Sequence, residues 1–194
     1  MATPESINAK PNISIIPAST SEHIEQARRL FMLYADSLGI DLTFQSFTSE
    51  LVNLPGAYAP PTGCLLLAYM DPPLPDMEPH DAVACIALRP LPYAYPAVSD
   101  SSASSSSDPS PPTPTAELKR LFTLPSTRGH GLARQLITHA LSSAQSLGYR
   151  RVVLDTLPSM RAAIALYRSF GFRDLETGYY DTPLEGTIFL GREL

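Results

Sequence analysis

The sequence has few cysteines and few histidines, and their positions limit the chemistry that the chain can carry. Cys64 and Cys85 fall in two neighbouring predicted strands. A hairpin that turns near residue 76 sets Cys64 opposite about Leu88, so the two sulfurs lie roughly 10 Å apart along the strands. That separation excludes a disulfide, and we expect two buried, reduced thiols.

A metal site is not expected either. The four histidines show no ligand spacing with each other or with the cysteines. They are His23, His80, His130 and His139.

Net positive charge and long apolar runs are also missing. A formal net charge of −5 argues against nucleic acid or an anionic membrane as the main partner. No apolar run approaches about 18 residues, so no transmembrane helix is expected. The segment Met1–Glu5 lacks the basic and apolar regions of a secretory signal. We expect a soluble protein of the cytosol, with the nucleus left open.

The length of 194 residues suits one domain with a real core. We expect a flexible arm over residues 1–11 and a single domain over 12–194. The domain is interrupted by a Ser/Pro-rich insertion at about 94–114, in which Ser99–Ser107 is nearly all serine. Such a segment buries too little apolar surface to offset its ordering entropy, so it is predicted to be disordered. Whether it is regulatory is left open.

The rest of the N-terminal half and the C-terminal end of the sequence predict two helices and four strands. Helix caps occur within Ser19–Glu22, and the first helix is expected to end at Gly39. The other predicted elements are strands at Ile13–Ile16, Cys64–Met70, Ala82–Leu88 and Ile188–Leu190, and a second helix at about Phe44–Val52.

The most informative stretch is Arg128–Ala133, because a strand-like run, Leu118–Leu124, precedes it and an amphipathic helix pattern follows it. Apolar residues recur from Leu132 at three-and-four spacing, and Gly148 supplies a stop signal. A glycine-containing turn at a helix N-terminus leaves several backbone N–H groups without partners. Together with the helix dipole they favour phosphate oxygens.

Two familiar phosphate-binding turns do not fit. The dinucleotide fingerprint needs Gly or Ala where Arg134 stands, and the Gly-Lys-Ser/Thr of a P-loop is absent from the chain. The pattern Arg/Gln-x-x-Gly-x-Gly/Ala does fit, as Arg128, Gly131 and Ala133. It is similar to the pyrophosphate-binding turn of the GNAT superfamily of acyl-CoA-dependent N-acetyltransferases.

A second signature follows within forty residues. Arg151–Thr156 reads as a buried strand, and Pro158 suits a first helical turn. The next helix carries Ala-x-x-Leu-Tyr, ending at Tyr167, and then the pair Gly171 and Phe172, which resembles the second GNAT signature. On the order of these elements the chain is identified as a member of the GNAT superfamily.

The resemblance implies an α/β (α+β) fold with a single GNAT domain. Its sheet is expected to be mixed, mostly antiparallel and twisted, with a central splayed pair of parallel strands and helices on both faces. The Ser/Pro-rich insertion then lies at a hairpin tip, which a sheet tolerates because loop-closure entropy grows slowly with length.

Acetyl-CoA is the donor that the resemblance implies, with no metal. Main-chain groups of Phe122, Thr123 and Leu124 are expected to hold the pantetheine arm and the acetyl carbonyl. Arg128 and Arg134 either add positive charge to the pyrophosphate site or are solvated residues at its rim. The pyrophosphate is expected to meet main-chain groups of Gly129, His130, Gly131, Leu132 and Ala133.

Two residues are candidate catalytic groups by the same resemblance. Tyr167 matches the tyrosine that lies near the cofactor sulfur in many GNAT enzymes, where a phenol can protonate the leaving thiolate. Its alternative role is core packing. Glu117 is the candidate base, on a predicted strand face shared with Lys119, Leu121 and Thr123. Its alternative role is a solvated strand-end carboxylate.

The leading hypothesis is an N-acetyltransferase that moves an acetyl group from acetyl-CoA to a primary amine of a small molecule or amino acid. Direct attack in a ternary complex is expected, because no cysteine lies near the predicted groove. The alternatives are a non-catalytic acyl-CoA sensor and a protein or peptide N-acetyltransferase; O-acetylation, a longer acyl chain, and a monomeric or homodimeric state are left open. Candidates for lining the acceptor pocket are Tyr34, Asp41, Tyr58, Tyr179 and Tyr180.

Overall fold

The computed structural model describes residues 11–73, 77–78, 80–91 and 113–194. The predicted arm at 1–11 and the predicted insertion at 94–114 therefore lie almost entirely outside the described residues. The described helices are α1 (Ser21–Leu38), α2 (Phe47–Val52), α3 (Leu132–Ser146) and α4 (Arg161–Ser169). The described strands are β1 (Asn12–Pro17), β2 (Cys64–Asp71), β3 (Ala84–Pro90), β4 (Thr115–Thr123), β5 (Arg151–Thr156), β6 (Arg173–Asp174) and β7 (Ile188–Glu193).

These strands form one sheet in the order β1-β2-β3-β4-β5-β7-β6. Strands β1 to β4 are successive antiparallel neighbours, β4 and β5 are parallel, and β7 lies antiparallel between β5 and β6. The expectation of a mixed, mostly antiparallel sheet with a central parallel pair is confirmed.

Helices cover both faces of the sheet, as expected. On one face α3 buries Leu136 and Ile137, and Tyr167 of α4 joins the same apolar cluster. On the other face α1 buries Leu30 and Phe31 against side chains of β2 and β3. Among the described residues, no helix has the length and apolar character needed to span a bilayer.

The caps of α1 agree with the sequence, whereas the start of the second helix does not. The Thr20 side chain accepts a hydrogen bond from the first turn, and Gly39 ends the helix in the left-handed conformation at φ +64°. The single helix predicted over Phe44–Val52 is instead a 3₁₀ turn, Thr43–Gln45, followed by α2. Ser46 separates the two because it adopts φ +57°, which interrupts right-handed helical geometry.

The strand register confirms the predicted offset of the two cysteines. Cys64 pairs with Leu88, and Cys85 pairs with Leu67 three positions away. Both thiols are free and Cys85 is fully buried, but Cys64 is only partly buried, so the expectation of two buried thiols is wrong for Cys64.

A β-bulge in β4 is the main irregularity of the sheet. Cys85 faces Phe122 and Ala87 faces Lys119, so Arg120 and its successor together oppose one residue of β3. Arg120 adopts φ +58°, a conformation that is uncommon outside glycine. Such a bulge bends its strand and increases its twist.

The bulge corrects the predicted face of β4. Strict alternation would place Glu117, Lys119, Leu121 and Thr123 on one side, but this is wrong beyond Lys119, since the extra residue inverts the alternation. Phe122 therefore packs in the cluster beneath α1.

A buried ion pair fixes the bulge to α2. The Arg120 guanidinium donates from Nε to Glu50 Oε1 at 2.9 Å and from Nη2 to Oε2 at 2.5 Å. The side chains are 3% and 10% exposed, and Tyr58 donates a further hydrogen bond to Glu50 at 2.7 Å. The guanidinium also lies over the rings of Phe47 and Tyr34, at 5.0 and 5.9 Å from their centroids.

Replacing Glu50 should be costly. In Glu50→Gln the Arg120 charge stays buried without a counter-ion, so the free energy of unfolding should fall by about 3–5 kcal/mol. Glu25→Gln is the matched control, because Glu25 pairs with Arg28 but is 68% exposed, and its loss should be under about 1 kcal/mol. Urea unfolding measures the free energy of unfolding of both variants. Equal losses would contradict a stabilising role for the buried pair of Arg120 and Glu50.

The loss of stability in Glu50→Gln should also depend on pH. Burial opposes ionisation of Glu50, but the hydrogen bond and charge of Arg120 outweigh it and lower the pKa of Glu50. A depressed folded-state pKa gives stability that is present above the unfolded pKa and is lost as pH falls through the folded value. The difference between wild type and Glu50→Gln should therefore be constant near neutral pH and shrink in acid.

Candidate active site

The site begins where β4 and β5 separate. The two strands pair only from Thr115 with Arg151 to Glu117 with Val153, yet β4 continues to Thr123. Beyond Glu117, the edge of β4 that faces β5 has no strand partner among the described residues. The predicted splay of the parallel pair is confirmed, and the bulge that bends β4 accounts for it.

The turn after β4 presents a cluster of backbone donors. Gly129 and Gly131 adopt φ +87° and +84°, and Gly131 caps α3 without a side-chain hydrogen bond. The first helical bond here runs from the Gln135 N–H to the Gly131 carbonyl at 3.1 Å, so the N–H groups of the three preceding residues are left at the helix N-terminus. This geometry favours an anion.

A groove of about 600 Å³, called here the large groove, runs along that turn and into the gap between the strands. Three arginines line it, Arg128, Arg134 and Arg161, and its lining has no acidic side chain. A chain with net charge −5 therefore concentrates positive charge at this place. The other residues that line it include Tyr34, Leu121, Ser159 and Met160.

The large groove gathers most of the residues predicted to hold the donor. These are Phe122, Thr123, Arg128, Gly129, Gly131, Leu132, Ala133 and Arg134. Leu124 and His130 do not line it. The Leu124 N–H donates to the Val83 carbonyl at 2.9 Å, and His130 Nδ1 lies 3.1 Å from the Thr127 carbonyl.

A smaller cavity of about 40 Å³, called here the junction cavity, adjoins the large groove and shares Tyr34, Leu121 and Met160 with it. Asp155 at the end of β5 and Tyr167 of α4 line the junction cavity. Its volume suffices for a water molecule or a small polar group such as an amine.

Tyr167 combines packing with access to this cavity. Its ring meets Phe172 edge to face at 5.8 Å, and the residue is 7% exposed. Burial raises the pKa of Tyr167 well above its ordinary value, so the phenol keeps its proton throughout the physiological range. Tyr34 lies across the cavity, and burial raises its pKa to about 12.

Asp155 is the carboxylate that reaches the junction cavity. Lys119 Nζ lies 3.3 Å from its Oδ1, and the Tyr179 hydroxyl lies at the same distance. Burial opposes its ionisation, but the Lys119 charge and hydrogen bonds from Tyr180 and Lys119 outweigh it and lower the pKa of Asp155. Asp155 is therefore charged near neutral pH, with 19% of its side chain exposed.

Glu117 lies outside both cavities. Its carboxylate accepts hydrogen bonds from Arg89 Nε at 2.6 Å, Lys119 Nζ at 3.0 Å and the Tyr179 hydroxyl at 3.0 Å, and its side chain is 1% exposed. This geometry does not place Glu117 against an acceptor amine. Lys119 and Tyr179 bridge it to Asp155.

The residues predicted to line the acceptor pocket lie in different places in the structure. Tyr34 lines both the large groove and the junction cavity. Tyr179 and Tyr180 pack edge to face at 5.3 Å behind Asp155, and Tyr58 hydrogen-bonds Glu50. Asp41 is exposed, bonds Thr43 and lines neither cavity.

Sequence reasoning missed three residues that line these cavities. Asp155 could have been found from the sequence, because it is a charged residue directly after the apolar run Val152–Leu154 near the end of β5. Arg161 could also have been found, as a basic residue in the first turn of α4. Gln45 gave no such signal, since it reaches Asp155 from 110 residues away. In the described part of the chain, no group of three His, Cys, Asp or Glu side chains could hold a metal ion.

The fold and site together define a protein with a donor-rich helix N-terminus beside a gap between parallel strands. A buried carboxylate and a protonated phenol line the small cavity that adjoins the gap. This is the arrangement of an acyl-transfer site supplied by a phosphate-bearing donor.

Comparison with known proteins agrees with that class. The profile of the Acetyltransferase (GNAT) family matches residues 48–172. An uncharacterized N-acetyltransferase of Schizosaccharomyces pombe is 31% identical over 183 residues, which cover 94% of this chain and 96% of the relative. A second, from Dictyostelium discoideum, is 27% identical and covers 89% and 95%.

Solved structures show the same fold. A GNAT-family acetyltransferase of Staphylococcus aureus superposes with a TM-score of 0.66 at 18% identity, covering 94% of this chain and 99% of the other. Arabidopsis thaliana NAA60 in complex with acetyl-CoA gives 0.64 at 16% identity, with coverage of 94% and 99%. The chain belongs to the GNAT family of acetyltransferases, and it is accordingly an acyl-CoA-dependent acetyltransferase.

Substitution of the turn glycine should remove donor binding without unfolding the protein. Gly131→Val places a β-branched side chain at φ +84°, in the space beside the helix N-terminus. We expect loss of acetyl-CoA binding by calorimetric titration. Gly148→Val is the control, because Gly148 also has φ +84° and open space around its Cβ position, at the other end of α3.

Backbone strain should lower the melting temperature of both variants by a similar amount. Only Gly131→Val should lose acetyl-CoA. Near-normal affinity in folded Gly131→Val, or an equal loss in Gly148→Val, would refute the assignment of the turn.

Proposed function

We propose that this protein transfers an acetyl group from acetyl-CoA to a primary amine of a small molecule or amino acid, by direct attack in a ternary complex. The observation that carries the proposal is the meeting of an arginine-lined groove with a small cavity that holds a carboxylate and a phenol. When bound, acetyl-CoA supplies the acetyl group as a thioester.

The large groove fits such a donor. Its volume of about 600 Å³ lies within the usual range for a ligand pocket. The helix N-terminus and the three arginines, Arg128, Arg134 and Arg161, complement phosphate groups. The unpaired edge of β4 beyond Glu117 offers main-chain groups to the amides of a pantetheine arm.

The amine side depends on Asp155. A charged carboxylate in the junction cavity attracts an ammonium group and orients the amine that forms from it. Since the lowered pKa of Asp155 makes it a poor proton store, the amine proton leaves to water that Asp155 orients. Glu117 supports this arrangement through Lys119 and Tyr179 rather than by contact with the amine.

On the leaving-group side, we assign Tyr167 the role of proton donor to the thiolate. Its raised pKa keeps the phenol protonated at physiological pH, so a proton is available for the leaving thiolate. Neither Cys64 nor Cys85 lines the large groove or the junction cavity, and burial raises the pKa of both thiols. Direct attack is therefore favoured over an acyl-cysteine route.

A peptide acceptor is the second candidate. Solved neighbours include NAA60 with a bisubstrate analogue, at a TM-score of 0.64, and NatC bound to Gag peptide and CoA, at 0.65. Release of CoA thiol with a panel of small amines and of peptides separates the two. Tight acetyl-CoA binding without any turnover would instead favour a non-catalytic sensor.

Removal of the Tyr167 hydroxyl should slow turnover selectively. Tyr167→Phe keeps the ring against Phe172, so melting temperature and acetyl-CoA affinity should barely change, while kcat falls about ten- to a thousand-fold. Tyr149→Phe is the control, since its hydroxyl bonds the Thr62 carbonyl away from both cavities. Wild-type kinetics in Tyr167→Phe would leave the residue with a packing role only.

The two carboxylates should give different pH signatures. Asp155→Asn should lower kcat/KM most below the pKa of the amine, where an ammonium needs the charge, and higher pH should partly restore it. Glu117→Gln should give a flat, pH-independent loss, because it positions its neighbours. Asp174→Asn, which alters a carboxylate with 64% exposure, should change neither.

Wild type should show one ascending limb in kcat/KM, set by the amine, because Asp155 is already ionised. The opposite pattern, with a pH-rescued loss in Glu117→Gln and a flat one in Asp155→Asn, would return the base role to Glu117.

A further inference from the structure

One buried side-chain atom in the described part of the chain lacks a hydrogen-bond partner, and it is the amide oxygen Oε1 of Gln45. The amide nitrogen of the same side chain is engaged. Gln45 Nε2 lies 3.3 Å from the Tyr180 hydroxyl and 3.5 Å from Asp155 Oδ2. Since buried polar groups are nearly always paired, an unpaired acceptor here indicates a missing donor.

The orientation of the amide follows from its neighbours. Exchanging the amide oxygen and nitrogen would turn the oxygen toward the Asp155 carboxylate, which only accepts hydrogen bonds. The nitrogen therefore faces Asp155, and the unpaired oxygen points away from it.

Gln45 stands between two cavities. It lines the junction cavity and also a third cavity of about 200 Å³, called here the side cavity, which lies under α2. The unpaired Oε1 therefore belongs to a side chain that both cavities share. The side cavity is further lined by Ser46, Ser49, Asn53, Tyr58 and Arg89.

The charged groups around these two cavities already have partners. Glu50 is held by Arg120, and Arg89 by Glu117. Lys119 contacts both Glu117 and Asp155. A ligand that enters from the junction cavity therefore meets no unpaired cation for a carboxylate, but it does meet one carbonyl oxygen that requires a donor.

We propose that Gln45 determines acceptor specificity by accepting a hydrogen bond from a second N–H of the acceptor. The reacting amine lies in the junction cavity, and the rest of the acceptor extends into the side cavity. The favoured class is a small amine that carries an amide N–H, such as an amino-acid amide, rather than a simple monoamine or a free amino acid. This inference rests on the proposed function.

The test compares matched acceptors with matched variants. Amino-acid amides and alkyl monoamines of equal length are assayed by CoA thiol release with wild type, Gln45→Met and Gln45→Leu. Gln145→Met, at an exposed position on α3, is the control. Melting temperature establishes that each variant is folded.

Wild type should favour the amides, because a site built to bond an N–H discriminates against analogues that lack it. Gln45→Met keeps the side-chain volume but removes the oxygen. It should lower kcat/KM for the amides by about ten- to a hundred-fold, change the monoamines less than about threefold, and leave KM for acetyl-CoA unchanged. Gln45→Leu also removes the oxygen at similar volume and should act like Gln45→Met, and the control should match wild type.

A purely structural role for Gln45 would slow both acceptor sets equally. That result, or an unchanged preference in Gln45→Met, overturns the inference while the proposed function stands. If Gln45→Met does not fold, an unchanged preference in folded Gln45→Leu overturns the inference. Absence of turnover with every amine in the wild type would overturn both.

Discussion

The buried pair between Arg120 and Glu50 is the interaction on which the site depends. Arg120 occupies a left-handed backbone conformation that a β-branched or unsupported residue would not keep. Its guanidinium is held by both oxygens of Glu50 and lies over Phe47, which offsets the strain. The bulge so fixed turns β4 away from β5 and opens the gap. Because Glu50 belongs to α2, the same pair holds the segment that carries Gln45 against the sheet.

Charge alternates along one side of that gap. Arg89, Glu117, Lys119 and Asp155 form a chain of ion pairs, so that each buried charge meets one of opposite sign. Isolated charges at this depth would be expensive, and pairing removes most of that cost. The chain of ion pairs ends at Asp155, which is its carboxylate that lines the junction cavity. Glu117 lies in the middle of this series of ion pairs. An amine therefore cannot reach its carboxylate, although Glu117 is on the strand expected to carry the base.

Local patterns predicted most of the fold, and contacts between distant segments explain the rest. The strand, turn and helix around Gly131 are encoded by neighbours in sequence, so the phosphate turn and its helix were predictable in order and nearly in length. The bulge at Arg120 and the break at Ser46 place non-glycine residues at positive φ, for which the sequence has no signal. The bulge inverted the expected face of β4, and the break at Ser46 divided the expected second helix. The role of Gln45 appears only when Thr43–Gln45 is brought against β5.

The two halves of the site differ in hydrogen-bonding character, and this difference assigns each half to one substrate. The large groove offers donors, namely the N–H groups at the start of α3 and the side chains of Arg128, Arg134 and Arg161. Such a surface suits an anion and leaves an ammonium unpaired and repelled. Beyond Tyr34 the character changes, because the junction cavity adds acceptor oxygens of Asp155 and Gln45, while its two cations, Lys119 and Arg120, are held in ion pairs. An amine is favoured there and a phosphate is not. The protein thus orders its two substrates by electrostatic complementarity, and they meet where the two surfaces adjoin, at Tyr34, Leu121 and Met160.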